Sequence, residues 1–192
     1  MRTESVPPEA TEVEFGPDAE HLDRPASHVV FLCTGNAARS VMAGAIMAAA
    51  GTGIRITTAG THVIERQPVS LRTRDALGAV GLNVSVHRSH QLTDDDVDQA
   101  DLIVAMAAEH VRYVRRRHPS GAGRTATAKW LAQHLDAGPE PIAERVARLG
   151  LASVDPERQG DVEDPAGGDD EDYATCVVEL TSLIAELGPR LA

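Results

Sequence analysis

Aromatic residues and cysteines are scarce in this chain of 192 residues. Phe, Trp and Tyr together make up 3% of it, and there are two Cys. Two cysteines cannot build the disulfide framework that small secreted domains rely on. The sequence also lacks a membrane-length apolar run and a segment that resembles a signal peptide. We therefore expect a protein of the reducing cytoplasm that has no membrane partner.

Basic residues are outnumbered by acidic ones, with 18 Lys and Arg against 29 Asp and Glu. Residues 1–27 and 155–172 hold 16 of those acids, so the negative charge is concentrated in two segments. This balance argues against nucleic acid as a partner. Residues 1–27 also carry four prolines and no periodic apolar pattern. They are predicted to form a flexible acidic leader, followed by a single domain over residues 28–192.

The most informative stretch joins a strand to a helix through a short loop. After His28, residues 29–32 are all apolar and partly β-branched, which predicts a buried strand from His28 onward. From Val41 onward, apolar residues recur at helical spacing. Residues 33–40 between them read Cys-Thr-Gly-Asn-Ala-Ala-Arg-Ser. A strand, loop and helix in this order direct backbone N–H groups and the positive helix end at one point, which predicts an oxyanion site.

The side chains of this loop suggest a nucleophile inside that site. The positive field stabilises the thiolate of Cys33, and Arg39 offers a planar fork for two phosphate oxygens. Ser40 is expected to cap the helix and to donate its hydroxyl to the thiolate. Gly35 is expected to supply an unusual backbone conformation, and Asn36 a left-handed one. The predicted oxyanion-binding residues are Thr34, Gly35, Asn36, Ala37, Ala38 and Ser40.

Strands and helices alternate along the rest of the chain. Strands are predicted at residues 54–58, 83–86 and 102–106, and helices at 70–80, 108–118, 127–135, 140–149 and from 173 onward. In the helix over 70–80, Leu71, Leu77 and Val80 are expected to face inward. Thr93 and Asp96 form a capping pattern, and Cys176 is expected in the core. The alternation predicts an α/β domain with a parallel sheet and a ligand at the carboxyl ends of its strands.

Residues 33–40 resemble the C-x-G-N-x-C-R-S loop of the low-molecular-weight protein tyrosine phosphatase family. Further similarities follow in family order at residues 58–61, 81–84, 87–92, 101–106 and 161–165, the last reading Asp-Val-Glu-Asp-Pro. The resemblance implies a four-stranded parallel sheet in the order 2-1-3-4, with the phosphate-binding loop after the first strand. It also implies phosphomonoester hydrolysis through a phosphocysteine, without metal or cofactor, on a phosphorylated protein or a small phosphomonoester.

The resemblance further implies the catalytic residues Cys33, Arg39 and Asp164. Chemistry requires a general acid opposite the nucleophile, but it does not choose among 29 acids. Asp164 is attractive because Pro and Gly residues surround it in a loop able to reach over a pocket. The family resemblance then selects it as the acid.

The sequence departs from the family pattern at several positions. Ala38 replaces the second loop Cys, and Ala166 replaces the aromatic residue after Asp-Pro. Because a phosphotyrosine ring normally lies between aromatic walls, phosphotyrosine is not supported as the substrate. Ala37 stands where arginine-phosphatase relatives carry Thr. The substrate class therefore stays open between phosphotyrosine, phosphoarginine and a small molecule.

Two alternative functions also fit the loop. One is an arsenate reductase of the same fold, which would use a low-molecular-weight thiol because Cys176 is expected to be buried. The other is a non-catalytic oxyanion-binding pseudophosphatase. The joint presence of Cys33, Arg39, Ser40 and Asp164 favours the phosphatase.

Overall fold

A four-stranded parallel sheet forms the centre of the structure, a computed structural model that describes residues 10–13 and 27–191. The strands are β1 (Thr11–Glu12), β2 (His28–Cys33), β3 (Arg55–Gly60), β4 (Leu82–Asn83), β5 (Leu102–Ala105) and β6 (Thr125–Thr127). The central sheet has the order β3-β2-β5-β6, and all its strands are parallel. Every residue of β2 is buried, as its apolar sequence predicts.

The order of the sheet agrees with the prediction, but one of its members differs. Counted along the chain, its four strands lie in the order 2-1-3-4. The fourth strand is β6, just before and into the predicted helix over 127–135. No strand was predicted there. The strand predicted at 83–86 was largely wrong, because the observed β4 shares only Asn83 with that range and lies outside the central sheet. Three residues of β6, two of them Thr, give too short an apolar pattern to reveal a strand.

Seven α-helices lie in the described ranges and cover the sheet. They are α1 (Arg39–Ala49), α2 (Leu71–Ala79), α3 (Asp94–Gln99), α4 (Ala108–Arg117), α5 (Ala128–His134), α6 (Ile142–Ala147) and α7 (Asp170–Leu191). The predicted α/β class is therefore confirmed. Within residues 10–13 and 27–191, no helix combines the length and the apolar character needed to cross a bilayer.

Helix α7 packs against α1 and supplies one long buried stripe to the core. Cys176 on this stripe is 4% exposed, so its predicted core position is confirmed. In α2 the prediction was partly wrong, because only Leu77 of the three expected residues is buried. Leu71 is 62% exposed and Val80 is 42% exposed. Leu71 lies six residues before Leu77, which places it on another helix face, and Val80 follows the last helical residue.

A short part of the predicted leader forms a strand. Strand β1 pairs in parallel with β4, and Val13 beside it is 6% exposed within the core. The pairing joins residues about seventy positions apart, so no local sequence pattern indicates it. The rest of the predicted flexible leader, residues 1–9 and 14–26, lies outside the described residues.

Candidate active site

The candidate nucleophile lies at the carboxyl end of the central strand. Cys33 is the last residue of β2 and is 3% exposed. Residues 34–38 follow as a loop, and α1 begins at Arg39. The carboxyl ends of β3 and β5 flank this point, where parallel α/β sheets bind their ligands. The predicted strand, loop and helix are therefore present.

Two side chains of the loop surround the sulfur of Cys33. Ser40 Oγ lies 3.0 Å from Cys33 Sγ and accepts a hydrogen bond of 3.0 Å from Asn36 Nδ2. Because Asn36 supplies a proton to this oxygen, the Ser40 hydroxyl can direct its own proton at the sulfur of Cys33. Ser40 does not cap α1, contrary to the prediction. The cap position is Ala38, which makes no side-chain capping bond.

Asn36 also fastens the loop to its surroundings. Its φ of 50° is left-handed, as predicted, and the residue is fully buried. Its side-chain Oδ1 accepts from the backbone N–H of His90 at 2.9 Å. Its carbonyl accepts from Nε2 of His87 at 3.1 Å. Burial lowers the pKa of His87, which keeps its ring neutral. The sequence indicated the left-handed residue but not these distant partners.

The backbone N–H groups of the loop point to an oxyanion site. Among the described residues, none of the N–H groups of residues 35–41 donates to a protein acceptor. Together with the positive end of α1 they form a cradle for an anion. Gly35 does not adopt a left-handed conformation, so the role predicted for it was wrong. The glycine that this geometry requires is Gly60, since a Cβ there would lie 2.7 Å from the Thr34 carbonyl oxygen.

Arg39 is buried beside the loop, with 4% of its surface exposed. Its Nη1 donates to the carbonyl of Val162 at 3.2 Å. Its Nη2 donates to Asp164 Oδ2 at 2.5 Å and to Thr34 Oγ1 at 3.4 Å. Each contact comes from a segment distant from α1 or from the loop itself, so the guanidinium is held from several sides.

The segment that carries Asp164 is anchored over the loop. Asp161 Oδ1 accepts from the N–H of Ala108 at the start of α4, and Val162 N–H donates to the carbonyl of Met106. The side chain of Asp164 is 44% exposed, and its Oδ1 accepts from the N–H of Ala166. The carboxylate therefore reaches the phosphate-binding loop while remaining accessible, without an aromatic residue at position 166.

Comparisons with known proteins agree with this geometry. Residues 28–192 match the family model described as low molecular weight phosphotyrosine protein phosphatase. The chain belongs to this family.

Individual relatives carry two kinds of name. A probable low molecular weight protein-tyrosine-phosphatase, EpsP, of Ralstonia solanacearum is 34% identical over 50% of this chain and 66% of that protein, slightly less than two thirds of its length. A protein-arginine-phosphatase of Geobacillus stearothermophilus is 29% identical over 85% of this chain and 95% of that protein. The solved structure of the arginine phosphatase YwlE from the same organism has a TM-score of 0.71 at 28% identity, covering 86% of this chain and 92% of that one.

The sequence did not predict a set of contacts between the phosphate-binding loop and α4. Thr34 Oγ1 lies 3.2 Å from Glu109 Oε1 and 3.0 Å from Nε2 of His110. Both partners are on α4, more than seventy residues away, and no local pattern links them to the loop. Burial, and then electrostatic interactions with Arg39 and His62, lower the pKa of His110 to about 3.

A cleft of about 480 Å³ adjoins the phosphate-binding loop. Its lining includes Arg39 and Asp164, with Glu109 and Glu163 among further polar residues. No Phe, Tyr or Trp is among its lining residues in the described ranges. Two aromatic rings, those of His62 and Tyr113, lie near the loop but do not line this cleft. His62, whose N–H donates to the carbonyl of Thr34, packs edge-on against Tyr113, and their ring centroids lie 5.5 Å apart.

Proposed function

We propose that this family member hydrolyses phosphomonoesters through a phosphocysteine on Cys33. The thiolate attacks phosphorus and the bond from phosphorus to the leaving oxygen breaks, while Asp164 gives that oxygen a proton. Water then attacks the phosphocysteine, Asp164 takes up one proton, and inorganic phosphate leaves the regenerated thiolate. Arg39 and the loop amides hold the equatorial oxygens as charge redistributes in the transition state.

The observation that carries the proposal is the convergence of four elements at one strand end. The sulfur of Cys33, the Ser40 hydroxyl, the backbone amides of residues 35–41 and the pair of Arg39 with Asp164 all meet there. A binding module would need the amides and Arg39, but it would not need a half-exposed carboxylate paired with that arginine. We further propose that the substrate is a phosphorylated protein or a small phosphomonoester in the cytoplasm.

The raised pKa of Cys176 favours hydrolysis over an arsenate reduction in which Cys176 would take over the oxidation of Cys33. Burial raises the pKa of the Cys176 thiol to about 12, so little of it is thiolate near neutral pH. A thiol in this state is a poor partner for passing on an oxidation from Cys33. The described part of the chain contains no further cysteine.

Turnover of p-nitrophenyl phosphate tests the proposal. Wild-type protein is expected to release p-nitrophenolate, and Cys33→Ser is expected to lose this activity by at least a thousandfold. Cys176→Ala serves as the matched control and is expected to keep it. Inorganic phosphate should also protect Cys33 from iodoacetamide, read by peptide mapping. If phosphate protects Cys33 but the wild type does not turn over the ester, the protein is the pseudophosphatase instead. If it reduces arsenate with an added low-molecular-weight thiol but does not hydrolyse the ester, it is the reductase.

A further inference from the structure

A buried histidine with no part in the proposed reaction contacts the phosphate-binding loop. His110, in the first turn of α4, is 1% exposed, and its Nε2 lies 3.0 Å from Thr34 Oγ1. Its Nδ1 has no hydrogen-bond partner within residues 10–13 and 27–191. An unpaired buried nitrogen is destabilising, so an apolar side chain would serve packing better here. The contact at Nε2 is therefore the informative one.

Counting protons fixes the direction of the hydrogen bonds around Thr34. Its hydroxyl has one proton and faces three polar groups at 3.0–3.4 Å. The carboxylate of Glu109 can only accept, and the guanidinium of Arg39 can only donate. Nε2 of His110 also lies 3.3 Å from Glu109 Oε1, where a lone pair on the nitrogen would face a carboxylate oxygen. Neutral His110 therefore carries its single proton on Nε2 and donates it to Thr34 Oγ1, the nearer of the two acceptors at 3.0 Å. The hydroxyl proton of Thr34 then goes to Glu109, and both lone pairs of Oγ1 face donors.

This arrangement fixes the Thr34 hydroxyl as an acceptor for Arg39. Of the three groups that hold the guanidinium, Asp164 must turn to the leaving oxygen during the proposed reaction. The carbonyl of Val162 and Thr34 Oγ1 then remain as its supports. A hydroxyl with its proton committed to Glu109 cannot turn that proton toward Arg39, so this support persists throughout the cycle.

We propose that His110 is a positioning residue that acts through Thr34 to hold the Arg39 guanidinium against the bound phosphoryl group. His110 itself touches neither the substrate nor the reacting atoms. The inference rests on the proposed function, because it assumes that Arg39 binds the phosphoryl group.

The test compares variants that keep or remove one hydrogen bond from each side of the contact. His110→Leu removes the donor, whereas His110→Gln keeps an N–H. Thr34→Val removes the acceptor at nearly constant shape, and Thr34→Ser keeps it. The readouts are kcat/KM for p-nitrophenyl phosphate and the inhibition constant of orthovanadate, which resembles the transition state of phosphoryl transfer.

His110→Leu and Thr34→Val are each expected to weaken vanadate inhibition and kcat/KM by about tenfold. His110→Gln and Thr34→Ser should each lose less than threefold. Because one contact is broken from either side, the double variant His110→Leu/Thr34→Val should lose about as much as each single variant. If His110→Leu fails to fold, the Thr34 pair still tests the contact from the loop side.

His118→Leu is the matched control for loss of a buried histidine. His118 caps the other end of α4, is 8% exposed, binds Asp94 through Nδ1 and has an unpartnered Nε2 within the described ranges. This variant should lower the melting temperature without changing vanadate inhibition. Three results would overturn the inference. The first is a folded His110→Leu variant that vanadate inhibits as strongly as the wild type. The others are equal losses in His110→Gln and His110→Leu, and additive losses in the double variant. Absence of Cys33-dependent turnover in the wild type would overturn the proposed function instead.

Discussion

At the scale of single residues, the pair of Arg39 and Asp164 sets up both halves of the proposed reaction. The carboxylate lies 2.5 Å from the guanidinium and therefore occupies a position that a phosphate oxygen would contest. In the proposed mechanism, an incoming phosphoryl group binds the guanidinium in place of the carboxylate, and Asp164 moves toward the leaving oxygen. A group in that position must deliver a proton, so the identity of the leaving group decides how much Asp164 contributes.

Asp164→Asn is expected to separate poor leaving groups from good ones. The amide keeps the shape of the side chain but cannot transfer a proton. The kcat for an alkyl phosphate should fall by about a hundredfold or more, because an alkoxide needs protonation as it departs. The loss should be much smaller for p-nitrophenyl phosphate, whose phenolate is stable.

Measurement of kcat for both esters in wild type and variant decides this point. Equal losses for the two esters would mean that Asp164 only supports the loop. Unchanged rates would transfer the acid role to another carboxylate of residues 155–172. Glu171→Gln, an exposed change of one charge in the same acidic segment but outside the cleft lining, is the matched control.

At the scale of elements, the loop depends on the strand beside it as much as on its own sequence. Gly60 ends β3 directly against the backbone of the phosphate-binding loop. The sequence identified the loop because Cys33, Asn36 and Arg39 lie close together in the chain. It did not identify the close approach at Gly60, because the register between two strands is a property of the folded sheet.

A pair of glycine substitutions tests this dependence. Gly60→Ala should destabilise the fold by about 1–3 kcal/mol, because its Cβ would press on the Thr34 carbonyl and the nitrogen of Asn36. It should also lower kcat/KM by about tenfold, since small displacements of binding groups are costly. Gly35→Ala should change stability by less than about 1 kcal/mol, because no atom lies within 4 Å of its added Cβ. Chemical unfolding and kinetics of both variants provide the measurement, and equal stability of the two would contradict the crowding argument.

Local pattern explains which other elements were predictable. The capping box of Thr93 and Asp96 forms as expected, because its bonds span three residues. Strands β1 and β6 were missed because each has three or fewer residues and is defined by distant partners. The contact of His110 with Thr34 was missed for the same reason, since it spans 76 positions.

At the scale of the whole molecule, several buried ionisable groups make the folded state sensitive to acid. Burial lowers the pKa values of His28, His87 and His110, so the folded protein resists binding the protons that the unfolded chain accepts. His90 acts in the opposite direction, because its hydrogen bond to Asp96 raises its pKa. Burial would raise the pKa of Asp96, but hydrogen bonds from His90 and Thr93 outweigh it and lower this pKa to about 2. The stability due to Asp96 is therefore lost only as the pH falls below 3.8 toward 2.

The free energy of unfolding is therefore expected to fall as the pH drops from 6.5 toward 3, with His110 as the strongest single contributor. Its pKa is 6.5 in the unfolded chain and about 3 in the folded one, so between these values only the unfolded state binds its proton. This group alone gives a slope of up to about 1.4 kcal/mol per pH unit. His110→Gln removes the proton while keeping the N–H, so its unfolding free energy should decline less steeply. Urea unfolding of both proteins at pH 7.5, 6.5, 5.5 and 4.5 measures the difference, and parallel curves would show that the neutral, buried imidazole does not control acid stability.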